Sequence, residues 1–181
     1  MSGEIDWERL ASELGLLRAD GESSGSDYAL CALELIIGED ALRQSVDHFV
    51  ARRPGSELAR SVLWQLRPWS AMSYCYEIFK GQQELENRRA AVNLLRVVAD
   101  HRALPWIKGF LDDSDPVIQS CGIGVLDQLL WSELVEPEDA EEFIQAAETH
   151  GDQHVRERAE FIRHYLHDRA GMEELRGPAN S

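Results

Sequence analysis

The sequence contains few of the features that mark secreted, membrane-spanning or zinc-cluster proteins. Its three cysteines, Cys31, Cys75 and Cys121, are about 45 residues apart and form no CxxC pair, which argues against a zinc cluster and a disulfide framework. No apolar run approaches the roughly 18 residues that a membrane-spanning helix needs, and the acidic start MSGEIDWERL is unlike a secretory signal. We therefore expect a cytoplasmic protein in which Cys31 and Cys121 are buried in apolar helix faces.

Signatures of catalysis are also missing. The chain has no GxxxxGKS phosphate loop and no GxGxxG turn, and its one GxSxG match, GESSG at 21–25, falls in a segment of turn-forming residues that no predicted strand precedes, unlike a nucleophile elbow. The sequence CGIG at 121–124 lies inside a predicted helix, where it cannot form a phosphate-binding loop. We accordingly expect no catalytic residues and no cofactor, and we do not expect the protein to be an enzyme.

Basic residues are scarce relative to acidic ones. The chain has 18 Lys and Arg against 33 Asp and Glu, a net charge of −15. Such a chain is repelled by nucleic acids and anionic membranes, which bind proteins through clustered basic groups. The short pairs Arg52-Arg53 and Arg88-Arg89 fit charges at helix ends better than a nucleic-acid-binding face. The acidity favours a basic protein partner, although acidity can also serve only to keep a protein soluble.

Helical periodicity fills the chain, whereas the alternating pattern of strands is nearly absent. Short segments rich in turn-forming residues, such as GESSGSD at 21–27 and RRPG at 52–55, separate the helical patterns. The predicted helices span residues 4–17, 27–37, 39–52, 56–67, 70–79, 85–99, 101–111, 115–131, 138–149 and 153–168.

An internal repeat organises these helices. Five of them share a corresponding position, in most cases a small residue four positions after an apolar one, at Ala32, Val62, Ala91, Cys121 and Ala159. These positions recur about every 30 residues, and the last interval is longer because it contains the acidic insert SELVEPEDAEE at 132–142. A period near 30 residues with two helices per unit is typical of an α-solenoid. We predict an N-terminal capping helix in residues 1–20, a repeat domain over 27–169 and a flexible C-terminal tail over 170–181.

Two segments resemble the second helix of HEAT repeats, which reads D-x-x-V-R-x-x-A. They are DDSDPVIQSCGIGVL and GDQHVRERAEFI, and the preceding HRALPWIKGFLDD resembles the matching first helix with Ile107 at the usual leucine position. The resemblance covers roughly residues 27–168 and is most specific in the last two units. It implies an all-α fold, a short right-handed α-solenoid of about five HEAT-like helix pairs, in which each unit buries its apolar faces against its neighbours.

One helix of this repeat contains two unexpected glycines. Asp115 is its predicted N-cap and Pro116 its first residue. Gly122 and Gly124 follow in the interior of the helix, where glycine costs about 1 kcal/mol relative to alanine. We expect both glycines to extend the small surface around Cys121, so that neighbouring helices can approach closely.

The histidines invite a search for a metal site. The last predicted helix carries side chains that can ligate a metal, at Glu160, His164, His167 and Asp168. Two more histidines, His150 and His154, flank the predicted turn before it. One helix rarely supplies a complete metal site. The HEAT-repeat hydroxylases are recognised by repeated His-Glu dipeptides, and this chain contains none. We therefore expect no metal.

The strongest binding signal combines tryptophan with acidic residues. Trp7, Trp69 and Trp106 are expected to pack between helices. In LARSVLWQL at 58–66 the expected core face is Leu58, Val62, Leu63 and Leu66, which leaves Trp64 toward the helix edge, and Trp131 likewise falls toward an edge. Tryptophan at such a position is a favoured anchor for a partner. The acidic insert directly follows Trp131. The predicted partner-binding residues are Glu34, Glu57, Trp64, Asp127, Trp131, Glu133, Glu136, Glu138, Asp139, Glu141 and Glu142.

These features favour a non-catalytic protein-binding module. Small acidic solenoids resemble the immunity proteins of bacterial polymorphic toxin systems, which implies a basic protein partner such as a toxin domain whose active cleft is occluded. The resemblance also leaves open an accessory, scaffold or chromophore-lyase role, as found in other HEAT-like proteins. No nucleic-acid or membrane partner is expected.

Overall fold

Ten α-helices and one 3₁₀ helix make up most of the described chain. The computed structural model describes residues 5–18, 21–22, 25–81 and 84–176. Within these ranges the fold is all-α apart from one antiparallel pair of two-residue strands, β1 (Leu17–Arg18) and β2 (Gly21–Glu22). The helices are α1 (Trp7–Glu13), α2 (Ser26–Ile37), α3 (Glu39–Val50), α4 (Ser56–Leu66), α5 (Trp69–Lys80), α6 (Leu85–Val98), the 3₁₀ helix (His101–Trp106), α7 (Ile107–Leu111), α8 (Pro116–Trp131), α9 (Pro137–Glu148) and α10 (Gln153–Arg176).

Most of the predicted helices begin and end within two residues of the prediction, and three differ. The first is shorter, because the chain leaves α1 after Glu13 and enters the strand pair. The predicted helix 101–111 begins as a 3₁₀ helix that contains Pro105, which has no N–H for a helical hydrogen bond. The last helix continues to Arg176, so part of the predicted tail is helical, and residues 177–181 lie outside the described residues.

The helices pack on their neighbours in sequence and on the next helix but one. Helix α3 packs against α4 and α5, α5 against α6, and α7 against α8 and α9. A second series of contacts runs from α4 through α6 and α8 to α10. We call these four the even helices. Helices α3 to α10 therefore form two layers, with α3, α5, α7 and α9 in one and the even helices in the other.

One contiguous apolar core lies between these layers, from Leu42 in α3 to Ile162 in α10. Phe110 of α7 is completely buried at its centre, and Phe79 of α5 packs edge-on against it with ring centres 4.8 Å apart. From there an aromatic series runs outward, because Tyr76 stacks on Trp106 at 4.3 Å and Trp106 meets Trp69 at 6.0 Å. The core thus extends to the surface beside α5.

Helix α8 begins at a buried, fully hydrogen-bonded aspartate. As predicted, Asp115 is the N-cap, and its Oδ1 accepts hydrogen bonds from the backbone N–H groups of Val117 and Ile118 at 3.1 and 3.0 Å. Its carboxylate also accepts two hydrogen bonds from the guanidinium of Arg89 in α6, at 3.1 and 2.6 Å. Arg88 forms a similar pair with Asp113. The start of α8 is therefore tied to α6.

The two glycines of α8 meet different neighbours. A Cβ added at Gly122 would overlap the Cβ and ring of Phe110, so the predicted close approach of helices is present there. A Cβ at Gly124 would instead lie 2.7 Å from Nε of Arg96, the end of a flexible side chain. Only Gly122 is required by a fixed helix–helix contact.

Several residues expected in the core are exposed at the N-terminal end. Leu58 of α4 is 71% exposed, and Val62 and Cys31 are exposed as well, because no further helix covers these faces within the described chain. Trp7, at the start of α1, is 63% exposed, and Trp69 is partly exposed despite its contact with Trp106. The expectations of burial for these five residues were wrong. Cys121 is half-buried.

The glycine contacts predict different effects of the same substitution. Gly122→Ala should lower the free energy of unfolding by about 1–3 kcal/mol, because overpacking against Phe110 outweighs the gain in helix propensity. Gly124→Ala is the matched control, since the Arg96 side chain can move aside, and it should leave stability unchanged or raise it slightly. Urea unfolding followed by circular dichroism measures both, and equal values for the two variants would contradict this packing.

The Asp115 contacts predict a dependence of stability on pH. The Arg89 hydrogen bonds, followed by those from the backbone of α8, lower the pKa of Asp115 below its ordinary value. The stabilisation is therefore present above the pKa of an unfolded aspartate, about 3.9, and is lost as the pH falls through the lowered value. Asp115→Asn keeps a capping side chain but loses the charge. Its stability deficit at pH 7 should shrink between about pH 5 and pH 2, and a pH-independent deficit in urea unfolding would contradict the assignment.

Candidate partner-binding surfaces

The structure distributes the predicted partner-binding residues over four places. Glu34 lies on α2, and its carboxylate reaches the start of α5. Glu57, Trp64 and Asp127 lie on the even helices. Trp131 packs against α10 at the end of α8. The insert acids surround the start of α9 and divide between two sides of it: Glu133, Glu136, Glu138, Asp139, Glu141 and Glu142.

Glu34 holds two elements of the fold together. From α2 its carboxylate accepts hydrogen bonds from the backbone N–H groups of Trp69 and Ser70, at 3.2 and 2.9 Å, and from the Ser70 hydroxyl at 2.6 Å. These are the first N–H groups of α5, whose own N-cap, Pro68, supplies no side-chain hydrogen bond. Glu34 therefore caps α5 from another helix, and its carboxylate is occupied by the fold. Sequence reasoning missed this role because the two partners are 35 residues apart.

Carboxylates of the insert line a groove between α9 and the segment that holds the 3₁₀ helix and α7. We call it the acidic groove. Its volume is about 710 Å³, and its acidic residues are Glu133, Glu136, Asp139 and Glu142. Its apolar walls are Leu104, Pro105, Leu134, Val135 and Phe143, and its basic groups are His101 and Lys108. Lys108 is itself paired with Asp112 at 3.0 Å. The groove therefore combines an apolar wall with an excess of negative charge.

The other insert acids make contacts within the fold. Glu141 accepts hydrogen bonds from both terminal nitrogens of Arg163 in α10, at 2.7 and 3.1 Å, and these lower the pKa of its carboxyl. Glu133 lies 3.6 Å from Arg169 while also lining the acidic groove. Glu138 is exposed but does not line the groove. The predicted single acidic surface is thus divided by α9.

Trp131 is exposed as predicted but is separate from the acidic groove. It is 58% exposed, and its ring packs on Tyr165 of α10 with centres 4.8 Å apart. The chain turns sharply just after it, where Glu133 has a positive φ of 54°. Trp131 lies beside α10, where Glu133 also reaches Arg169, and it does not line the acidic groove. The combination of a tryptophan anchor with an acidic rim stays a prediction.

The even helices present arginines as well as the predicted residues. Trp64 is 49% exposed and lines a cavity of about 320 Å³ with Arg60 and Gln128. Glu57 lines a neighbouring groove with Arg52, among others. Arg60 lies on α4 and Arg52 lies just after the end of α3, and both are beside Glu57, which no local sequence pattern indicated.

Asp127 is the half-buried member of this surface. It lies 3.5 Å from Arg158. Burial raises the pKa of its carboxyl, and the charges of Arg158 and Arg96 oppose that rise. Its negative charge is therefore held less firmly than that of an exposed aspartate.

The described residues contain no group of three or more His, Cys, Asp or Glu side chains that is placed to hold a metal ion. His164 pairs with Asp168 at 3.4 Å, and His150 contacts the carbonyl oxygen of Leu111 at 3.0 Å. No helix in the described ranges is long and apolar enough to cross a membrane.

Comparison of the chain with protein-family models, with curated proteins and with solved structures finds no match. The described chain thus offers two candidate binding surfaces, the acidic groove beside α9 and the mixed surface of the even helices.

The contacts of Glu34 predict a structural effect of its removal. Glu34→Ala should lower the free energy of unfolding by about 1–2 kcal/mol, because the first N–H groups of α5 lose their acceptor. Glu160→Ala, on the exposed face of α10, is the control and should change stability by less than about 0.5 kcal/mol. Thermal unfolding followed by circular dichroism compares the two variants, and equal melting temperatures would show that Glu34 is not needed as a cap.

Proposed function

We propose that the protein is a non-catalytic, HEAT-like module that binds a basic protein partner. The proposed architecture is a short right-handed solenoid of about five helix pairs. It is supported by the contacts of many helices from α2 to α10 with a neighbour in sequence or with the next helix but one. It is supported further by α8, where the HEAT-like turn DDSDPV places Asp115 at the N-cap and Pro116 at the first helical position.

The observation that carries the binding proposal is the acidic groove. Its carboxylates face one lysine that is already paired with Asp112 and one histidine. A lysine or arginine from a partner would meet uncompensated negative charge there, and an apolar neighbour could pack on Phe143. The net charge of −15 would add long-range attraction and speed encounter with a basic protein.

The biological form of this binding that we favour is immunity against a bacterial toxin. A toxin that acts on nucleic acid needs a basic active cleft, because its substrate is a polyanion. An acidic module that occupies such a cleft excludes the substrate without any chemistry of its own. The mechanism proposed is therefore stoichiometric occlusion, with the acidic groove accepting basic side chains of the cleft.

The acidic groove predicts salt-sensitive binding that depends on particular residues. The probe is a synthetic amphipathic lysine–leucine peptide, titrated by calorimetry at low salt and in 1 M salt. Asp139→Lys/Glu142→Lys should weaken binding about tenfold at low salt, and 1 M salt should weaken binding to the unchanged protein by a similar factor. Glu138→Lys/Glu160→Lys changes the net charge equally outside the groove and should have less than about a twofold effect. Equal losses in the two double variants would show that only overall charge matters.

The immunity role has its own test. The product of the reading frame next to this gene is expressed in a bacterial host, with and without this protein. Restored growth with the unchanged protein, and its loss with the Asp139→Lys/Glu142→Lys variant, is the expected result. Growth arrest that the protein does not relieve would overturn the immunity role and leave the peptide-binding result unaffected.

A further inference from the structure

A second groove lies on the even helices, away from α9. It is formed by α6, α8 and α10 and has a volume of about 380 Å³. We call it the arginine groove, and its lining includes Arg96, Gly124, His154, Glu157, Arg158 and Phe161. This groove plays no part in the proposed binding of a basic partner.

Gly124 makes room for one of the two arginines. Nε of Arg96 would lie 2.7 Å from a Cβ at this position, and Cζ would lie 3.3 Å from it. The guanidinium therefore rests directly over the backbone of α8. This contact explains a buried glycine in a helix interior that no fixed helix–helix packing requires. Any other residue at 124 would displace Arg96 from the groove.

The two arginines of the groove differ in their ion pairs. Within the described residues Arg96 is exposed and makes no ion pair, while Arg158 has the half-buried Asp127 at 3.5 Å. Burial raises the pKa of the Asp127 carboxyl. The remaining acid, Glu157, accepts a hydrogen bond from Gln153 at 2.7 Å and lies 3.7 Å from His154.

We propose that the arginine groove binds the carboxylate of an acidic side chain from a partner polypeptide, between Arg96 and Arg158. Guanidinium groups recognise carboxylates through charge-assisted hydrogen bonds. Phe161 is 49% exposed at the edge of the groove, with the Arg158 guanidinium 5.5 Å from its ring centre. It offers an apolar contact to a residue next to the bound acid.

A polypeptide fits this groove better than a nucleic acid. A nucleic-acid strand would bring a series of phosphates, which need a matching series of cations. Glu157 and Asp127 flank the two arginines, and the whole chain carries a net charge of −15. One carboxylate with an apolar neighbour can use both arginines while bringing a single negative charge into the groove.

The test uses the full chain and three defined probes. They are a capped Glu-Phe-Glu peptide, the same peptide with Gln in place of Glu, and a single-stranded oligonucleotide. Binding is measured by calorimetry and by the NMR signals of the arginine Nε–H groups. The Glu-Phe-Glu peptide should bind and shift the signals of Arg96 and Arg158, whereas the other two probes should bind at least tenfold more weakly.

Three variants identify the site. Arg96→Gln should weaken binding of the acidic peptide about tenfold, and Gly124→Ala should weaken it while leaving the protein folded and stable. Arg53→Gln removes an exposed arginine at the end of α3 and should have no effect. Unchanged binding in Arg96→Gln, equal binding of the Gln peptide, or tighter binding of the oligonucleotide would each overturn the proposal. The probe for the arginine groove is acidic and the probe for the acidic groove is basic. Failure of either proposal can therefore be told apart from failure of the other.

Discussion

The structure depends on how α8 is held against α6 and α7. Asp115 starts the helix and at the same time binds Arg89 of α6, so that one carboxylate satisfies backbone donors and a guanidinium together. Seven residues further on, Gly122 lets α8 approach Phe110 of α7. Helix α8 also contacts α9 and α10, and its placement therefore determines where both grooves lie. The acidic groove borders the α7–α9 layer, and the arginine groove borders the layer of even helices.

Most helices could be predicted from the residues within and next to them. The wrong predictions concern residues whose surroundings are set by distant parts of the chain. The start of α8 could be predicted because Asp115 and Pro116 act on the nearest turn. The exposure of Leu58 and Val62 could not be predicted, because the apolar pattern of their helix is that of a helix covered on both sides. The same limit applies to the glycines, since nothing in the sequence distinguishes a neighbouring Phe110 from a neighbouring arginine.

The candidate site was less predictable than the fold for a related reason. Composition correctly indicated an acidic insert, but the function of each acid depends on its three-dimensional partner. Glu141 lies beside Arg163, and Glu34 caps a helix that begins 35 residues later. Trp131 packs on Tyr165 and does not line the groove that holds four of the insert acids. Sequence position therefore indicated which residue types mattered but not which of them remain available to a partner.

A net charge of −15 raises the question of how the chain remains folded while keeping carboxylates unpaired. Self-repulsion of like charges destabilises a compact protein, and the arginines reduce it where helices meet, as at Asp115 and Glu141. Glu138 and Asp139 lie in the first turn of α9, where the partial positive charge of the helix N-terminus favours acids. The fold thus tolerates a group of carboxylates at this one end. A basic partner in the acidic groove would reduce the repulsion that remains between these carboxylates. The carboxylates that destabilise the folded chain would therefore also favour binding of that partner.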